Sequence, residues 1–141
     1  MAEFLAKKSG AKIATDHGTD IHRQLQFLQL NDDNEIAKRI KSDPELAKFW
    51  GTYSRAEVPI AGFISGKFYS KRIDRLVYIN DETGKKILFI DYKTDTNRAR
   101  RDDYENTMKL YATLLRTTHP DCHISGFILW LNNWQLEKIV E

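Results

Sequence analysis

The clearest hydrophobic patterning lies in two neighbouring stretches. From Arg72 to Ile79, Ile73, Arg75 and Val77 alternate with Asp74, Leu76 and Tyr78, which predicts a strand. From Lys86 to Tyr92 the chain is almost continuously apolar, as expected of a strand buried in a sheet. Between them, Asn80 to Lys85 is polar with one glycine, which suits a hairpin loop. Ile124 to Leu131 reads as another buried strand, and Trp134 to Val140 as a final strand or a tail. Glu57-Val58-Pro59-Ile60 opens the sheet region, with Pro59 suited to a strand end or an edge.

Helical spacing occupies the remainder. Ile21, Leu25 and Leu28 recur on one face of a stretch from Thr15 to Leu30, with Asp16 or Thr19 as cap. Asp32 to Lys41 and Pro44 to Trp50 read as two short helices, the second opened by Asp43-Pro44. A longer helix capped by Asp102 or Asp103 runs to about Thr117, with Tyr104, Met108, Tyr111 and Leu115 on one stripe of core character. This order predicts an α/β fold: a mixed central sheet flanked by helices. Residues 1–52 form a helical cap on a sheet core of residues 53–141, all in one domain.

Composition narrows the classes. A chain of 141 residues, 41% hydrophobic, with seven Phe, six Tyr and three Trp, is long and apolar enough for a sizeable core. A formal charge of +2 permits a nucleic-acid partner without arguing for one. The single cysteine, Cys122, excludes an intramolecular disulfide and suits a reducing, cytoplasmic setting. No apolar run approaches the ~20 residues of a membrane span, so no membrane association is expected. Met1 to Lys12 has no apolar core of the kind a secretion signal needs, so export is not expected. Gly62 to Phe68 imitates a phosphate loop. It is one residue short between the glycines and has Phe68 where a hydroxyl should meet magnesium. No nucleotide cofactor is expected. His119-Pro120-Asp121-Cys122-His123 collects metal-binding residue types at a spacing that fits no zinc pair, and reads as a loop.

The chemistry concentrates on the first two strands. Each carries an aspartate, Asp74 or Asp91, in an apolar setting where an unpaired carboxylate is costly. Pairing the strands brings two like charges together, a conflict that a divalent cation removes. Lys93 follows Asp91 by two, so an extended strand puts both on one face. A metal ligand and a fixed ammonium on one face are what phosphodiester cleavage needs. Three arginines, Arg98, Arg100 and Arg101, follow within four positions. They read either as a solvated loop or as one that grips a DNA backbone beside Lys93. Lys7, Lys8 and Lys12 carry the same two readings, lead-in or phosphate-contacting arm. His22, beside the first helix's apolar stripe, is on periodicity alone either a hydrogen-bonded boundary residue or a metal ligand.

Taken in order, Gly18-Thr19-Asp20-Ile21-His22, Glu57-Val58-Pro59, Ile73-Asp74-Arg75-Leu76, Ile90-Asp91-Tyr92-Lys93-Thr94, and Tyr104 with Tyr111 on a helix resemble a family. It is the nuclease domain at the C-terminal end of bacterial helicase-nucleases of the exodeoxyribonuclease V type, in the PD-(D/E)xK nuclease superfamily. The resemblance spans roughly Gly18 to Leu131. It implies a restriction-endonuclease-like core and a Mg²⁺- or Mn²⁺-dependent DNA nuclease. It also implies metal ligands in His22, Asp74, Asp91 and the carbonyl of Tyr92, with Lys93 as the catalytic lysine beside Asp74 and Asp91. Glu57, Tyr104 and Thr107 would stand around them, and Arg98, Arg100 and Arg101 would touch DNA. The implied substrate is single-stranded or frayed DNA in repair or recombination, and a separate helicase subunit is an implied partner. Three departures stand out: Lys71 where the family often has glycine, Thr107 where its helix usually has glutamine, and no helicase motif or cluster-binding cysteines. They keep open an alternative, a nuclease-like module that binds DNA ends or serves a helicase without cutting.

Overall fold

The computed structural model describes residues 20–141. The expected lysine-rich lead-in and the start of the first helix, with Asp16 and Thr19, lie outside the described residues. Helix α1 is seen over residues 20–27. Helix α2, Glu35–Lys41, starts later than the sequence pattern suggests, because the Asn34 side chain accepts from the Ala37 amide and fixes the cap there. Asp43 caps α3, Pro44–Ala47, with proline at its first position, and a 3₁₀ turn, Lys48–Trp50, completes that segment.

Five strands form one mixed sheet in the order β1-β2-β3-β4-β5. They are β1 Ser54–Ile64, β2 Lys67–Asp81, β3 Gly84–Lys93, β4 His123–Trp130 and β5 Gln135–Val140. Neighbours are antiparallel except β3 and β4, which run parallel. Their connection carries helix α4, Arg101–Thr118, as a parallel crossover requires. Pro59 sits on β1, which is an edge strand. The expected loop of residues 80–85 shrinks to a two-residue turn, since Asp81 pairs with Gly84. The Asp81 carboxylate accepts from the Thr83 amide and hydroxyl, which holds that turn. Helix α4 begins at Arg101 without a side-chain cap. Asp102 and Asp103 occupy its first turn instead, where carboxylates favour the positive end of the helix dipole.

Period-2 alternation divides the sheet's two faces. Val77, Leu88, Ile90 and Tyr92 pack with Leu25, Leu28, Ile40 and Phe49 of the N-terminal helices. Ile87, Phe89, Ile128 and Trp130 pack on the other face with Met108, Ala112 and Leu115 of α4. Each fully buried large side chain contributes roughly 1.5–3 kcal/mol, so both helical layers are held by apolar burial. Gly126 permits close approach of β3 and β5: a Cβ there would press into the Phe89 ring and lie 2.7 Å from Val140 Cγ2.

Candidate active site

The β2–β3 ladder stops at Arg75 opposite Ile90. One step further, the same register sets Asp74 across from Asp91. Here the strands part, and the Asp74 side chain takes over from the backbone. Its Oδ2 accepts from the Tyr92 amide at 2.8 Å. His22 Nε2 lies 3.5 Å from the same oxygen. Asp91 Oδ2 is 2.9 Å from Lys93 Nζ, so the two side chains do share a face, as the spacing predicts. The structure thus brings together four of the expected residues, His22, Asp74, Asp91 and Lys93, from one helix and two strands.

The site's electrostatics follow from burial. Asp91 is pushed up to about 6, first by desolvation and then by the negative charge of Asp74, with Lys93 pulling the other way. A carboxylate crowded by a second carboxylate is short of positive charge. Tyr111, reaching the site from α4, is raised to about 12 by burial and by the charges of Asp91 and Asp74. Tyr92 is raised too, mainly by burial.

Two aromatic contacts and one hydrogen bond hold the geometry. Lys93 Nζ lies 4.2 Å from the centroid of the Tyr104 ring, a cation–π contact that limits where the ammonium can swing. The Tyr104 hydroxyl donates to Asp95 Oδ2 at 2.8 Å, which anchors that ring. His22 packs edge-on against Tyr92 with centroids 5.4 Å apart.

Glu57 falls between the pairs Ala56–Arg75 and Val58–Ile73, so the register sets it across from Asp74 on the other side. Its φ of 54° is left-handed, a conformation that costs a non-glycine residue roughly 1–2 kcal/mol. Its carboxylate lies 4.0 Å from Arg72 Nη1. Thr107 is exposed and donates its hydroxyl to the Asp103 carbonyl one turn back, a contact within its own helix rather than with the carboxylates.

The arginine loop divides by role. The Arg98 guanidinium carbon stands over Trp130, 3.8 Å from the ring centroid. Arg100 is exposed and 5.3 Å from the Tyr104 centroid. Arg101 grips Glu137 with Nε at 2.9 Å and Nη2 at 2.8 Å, and Glu137 also accepts from Trp130 Nε1 at 3.0 Å. Arg101 therefore ties the start of α4 to β5, whereas Arg98 and Arg100 stand next to the Lys93–Tyr104 pair.

Sequence reasoning missed Arg75. It is only 4% exposed, yet none of its hydrogen bonds runs to a carboxylate. Nη2 donates to the carbonyls of Leu25 (2.8 Å) and Gln26 (3.1 Å), Nη1 to Ser54 Oγ (2.7 Å) and Nε to the Tyr92 hydroxyl (3.3 Å). The guanidinium also stacks 4.6 Å from the Trp50 ring centroid. Arg75 binds the last carbonyls of α1, where a cation suits the helix dipole. It locks onto the sheet the helix that carries His22. The available clue was a charged residue at an apolar position of an alternating strand. Asp95 was missed as well, and nothing local distinguishes it from other loop carboxylates.

Two carboxylates and an imidazole suit a hard divalent cation in type, and the carboxylate crowding at Asp91 is what such a charge relieves. The cage is not preformed: among the described residues, no group of three or more His, Cys, Asp or Glu side chains stands at metal-holding spacing. The His119–His123 turn belongs to no such group either. No helix among the described residues is long and apolar enough to cross a membrane. The chain matches no protein-family model, and no curated protein matches it.

Proposed function

We propose that this chain is a metal-dependent DNA nuclease with a restriction-endonuclease-like core, one that hydrolyses phosphodiester bonds of single-stranded or frayed DNA with little regard to sequence. The observation that carries the reading is the meeting of Asp74, Asp91 and Lys93 where two strands part, with His22 delivered beside Asp74 by a helix. His22, Asp74, Asp91 and the Tyr92 carbonyl would hold Mg²⁺ or Mn²⁺. Such an ion supplies Lewis acidity and a bound water of lowered pKa. Lys93, seated on Tyr104, directs its ammonium at charge that develops on the phosphoryl oxygens. Asp74 and Asp91 balance the positive charge of the site and repel a second phosphate from the reacting position. Arg98 and Arg100 hold neighbouring phosphates, and contacts of that kind position a strand without reading bases.

One observation favours a second reading, a DNA-end-binding module or helicase accessory that does not cut. Asp91 is engaged by Lys93, and the carboxylates form no ready three-ligand set. Cleavage of labelled single strands and duplexes with Mn²⁺ separates the two. Under the nuclease reading, the chain cuts single strands of several sequences in preference to blunt duplex. Lys93→Ala slows cleavage on the order of 10²-fold, the loss expected of one transition-state donor, while Mn²⁺ binding by calorimetry stays near parental. A parent that binds strands and Mn²⁺ but never cuts favours the accessory reading. Sharp preference for one duplex sequence contradicts both.

A further inference from the structure

The β1–β2 hairpin continues past the point where β2 leaves β3. Its strands close at Ile64 opposite Lys67 around Ser65-Gly66, with φ of 50° and 81°. Positive φ at both central residues marks the tight turn whose twist matches a hairpin's own. At the tip, Phe63 is 69% and Phe68 56% exposed, with ring centroids 5.2 Å apart. Those are among the most exposed large apolar side chains described.

The charge along this arm is positive, apart from Glu57 at its base, whose carboxylate lies 4.0 Å from Arg72 Nη1. From Pro59 to Arg72 the arm carries Lys67, Lys71 and Arg72 and no acidic residue, and all three cations are exposed. Lys67 Nζ lies 5.2 Å from the Tyr69 ring centroid. Alternation along the strand puts Arg72 on the face of the paired rings and Lys67 and Lys71, with Tyr69, on the other face, so cations flank the arm on both sides, and the same strand leads directly to Asp74. Asp74 lies six positions after Phe68, an extended reach of at most about 20 Å.

We infer that this hairpin is a platform for single-stranded nucleic acid: Phe63 and Phe68 stack bases, Arg72 on their face meets the backbone nearer the carboxylate site, and Lys67 and Lys71 reach phosphates from the other side of the narrow arm. Aromatic faces set in a cationic track are how strands are held without sequence preference, because every base has a stackable face. A protein partner would call for apolar surface without the lysines that flank these rings. The inference rests on the nuclease reading for its direction of travel, but strand binding does not depend on cleavage.

The test is strand binding in EDTA, where no metal-dependent cleavage occurs. The probe is a labelled DNA strand of about 12 nucleotides, within the range one such surface covers, carrying 2-aminopurine at successive positions. Phe63→Ala with Phe68→Ala should weaken binding at least about 5-fold, the lower end of what one stacked base contributes, and should abolish quenching of the probe. The Phe63→Leu, Phe68→Leu pair keeps apolar surface but not stacking, and should behave like the alanine pair. Phe68→Trp should restore quenching. Replacing Lys67, Lys71 and Arg72 by Gln should reduce the salt slope by about 2, since each phosphate neutralised on a single strand contributes about 0.7. Parental affinity in the alanine pair overturns the inference. So does full affinity in the leucine pair, which would indicate apolar docking. A change of oligomeric state with unchanged strand binding would assign the tip to a second copy and overturns it equally. A chain that binds strands through this arm and never cuts them leaves this inference standing and defeats only the nuclease reading.

Discussion

Asp91 should make the metal-free protein less stable as the pH rises, and the size of the effect can be worked from its surroundings. Its acidity in the folded chain is shifted from the ordinary 3.8 to about 6 by burial and by Asp74. Between those values the native state holds a proton that the unfolded chain has released, so unfolding free energy falls as pH rises. The native advantage is complete below pH ~4 and is lost as pH passes ~6. The difference between 3.8 and about 6, at about 1.4 kcal/mol per tenfold, is about 3 kcal/mol. Other carboxylates titrate the opposite way. Glu45, Asp81 and Asp121 are all lowered by hydrogen-bonding partners, so the parent's own profile mixes both signs. Subtracting an Asp91→Asn variant isolates the effect, because asparagine mimics the neutral acid at every pH. Urea unfolding in EDTA should find the two proteins similar near pH 4. By pH 7 the variant should be more stable by about 3 kcal/mol, which is a midpoint shift of about 1–3 M. A parent–variant difference that stays flat with pH to within about 0.5 kcal/mol would show that Asp91 is not crowded, and would remove the electrostatic reason for a cation at the site.

Three further outcomes follow from the arginines. Arg75→Lys keeps the charge but loses the fork that reaches four acceptors. It should cost about 3 kcal/mol in urea unfolding, and stability within 1 kcal/mol of the parent would mean the helix is held by other contacts. Arg101→Ala should cost about 1 kcal/mol by leaving Glu137 with one partner fewer, yet leave strand affinity in EDTA near parental. Arg98→Ala with Arg100→Ala should show the reverse pattern, weakening binding on all sequences alike, and equal losses from both sets would erase the division of roles.

The parts legible in the sequence are those with short-range periodicity. The alternation around Asp74 and the apolar run before Asp91 gave both strands, and period-2 spacing alone put Lys93 on the face of Asp91. The hairpin arm was invisible because Lys67 to Arg72 is exposed on both faces, so it has no apolar stripe for a pattern to find. The partners of Arg75 were equally hidden. They are backbone carbonyls 49 and 50 positions away, and carbonyls carry no residue identity. Arg101 was assigned to DNA with its neighbours because Glu137 lies 36 positions downstream, on a segment whose strand character was itself in question. Resemblance supplied what periodicity could not for His22, whose place beside Asp74 depends on how a helix docks.

Because Asp74 stands in for a missing strand partner, the sheet and the carboxylate cluster share one hydrogen bond, from the Tyr92 amide to Asp74 Oδ2. That amide proton is consequently a spectroscopic gauge wired into the centre. Whatever draws on the Asp74 carboxylate, whether a proton or a cation, lengthens or sharpens that single contact. The amide resonance of Tyr92 moves with it, as does its exchange with solvent. The same wiring runs backward: fraying at the end of β3 breaks the Tyr92 amide bond and so loosens Asp74. Chain flexibility at the mouth of the fork and the chemistry inside it are therefore one variable, readable at a single backbone nitrogen.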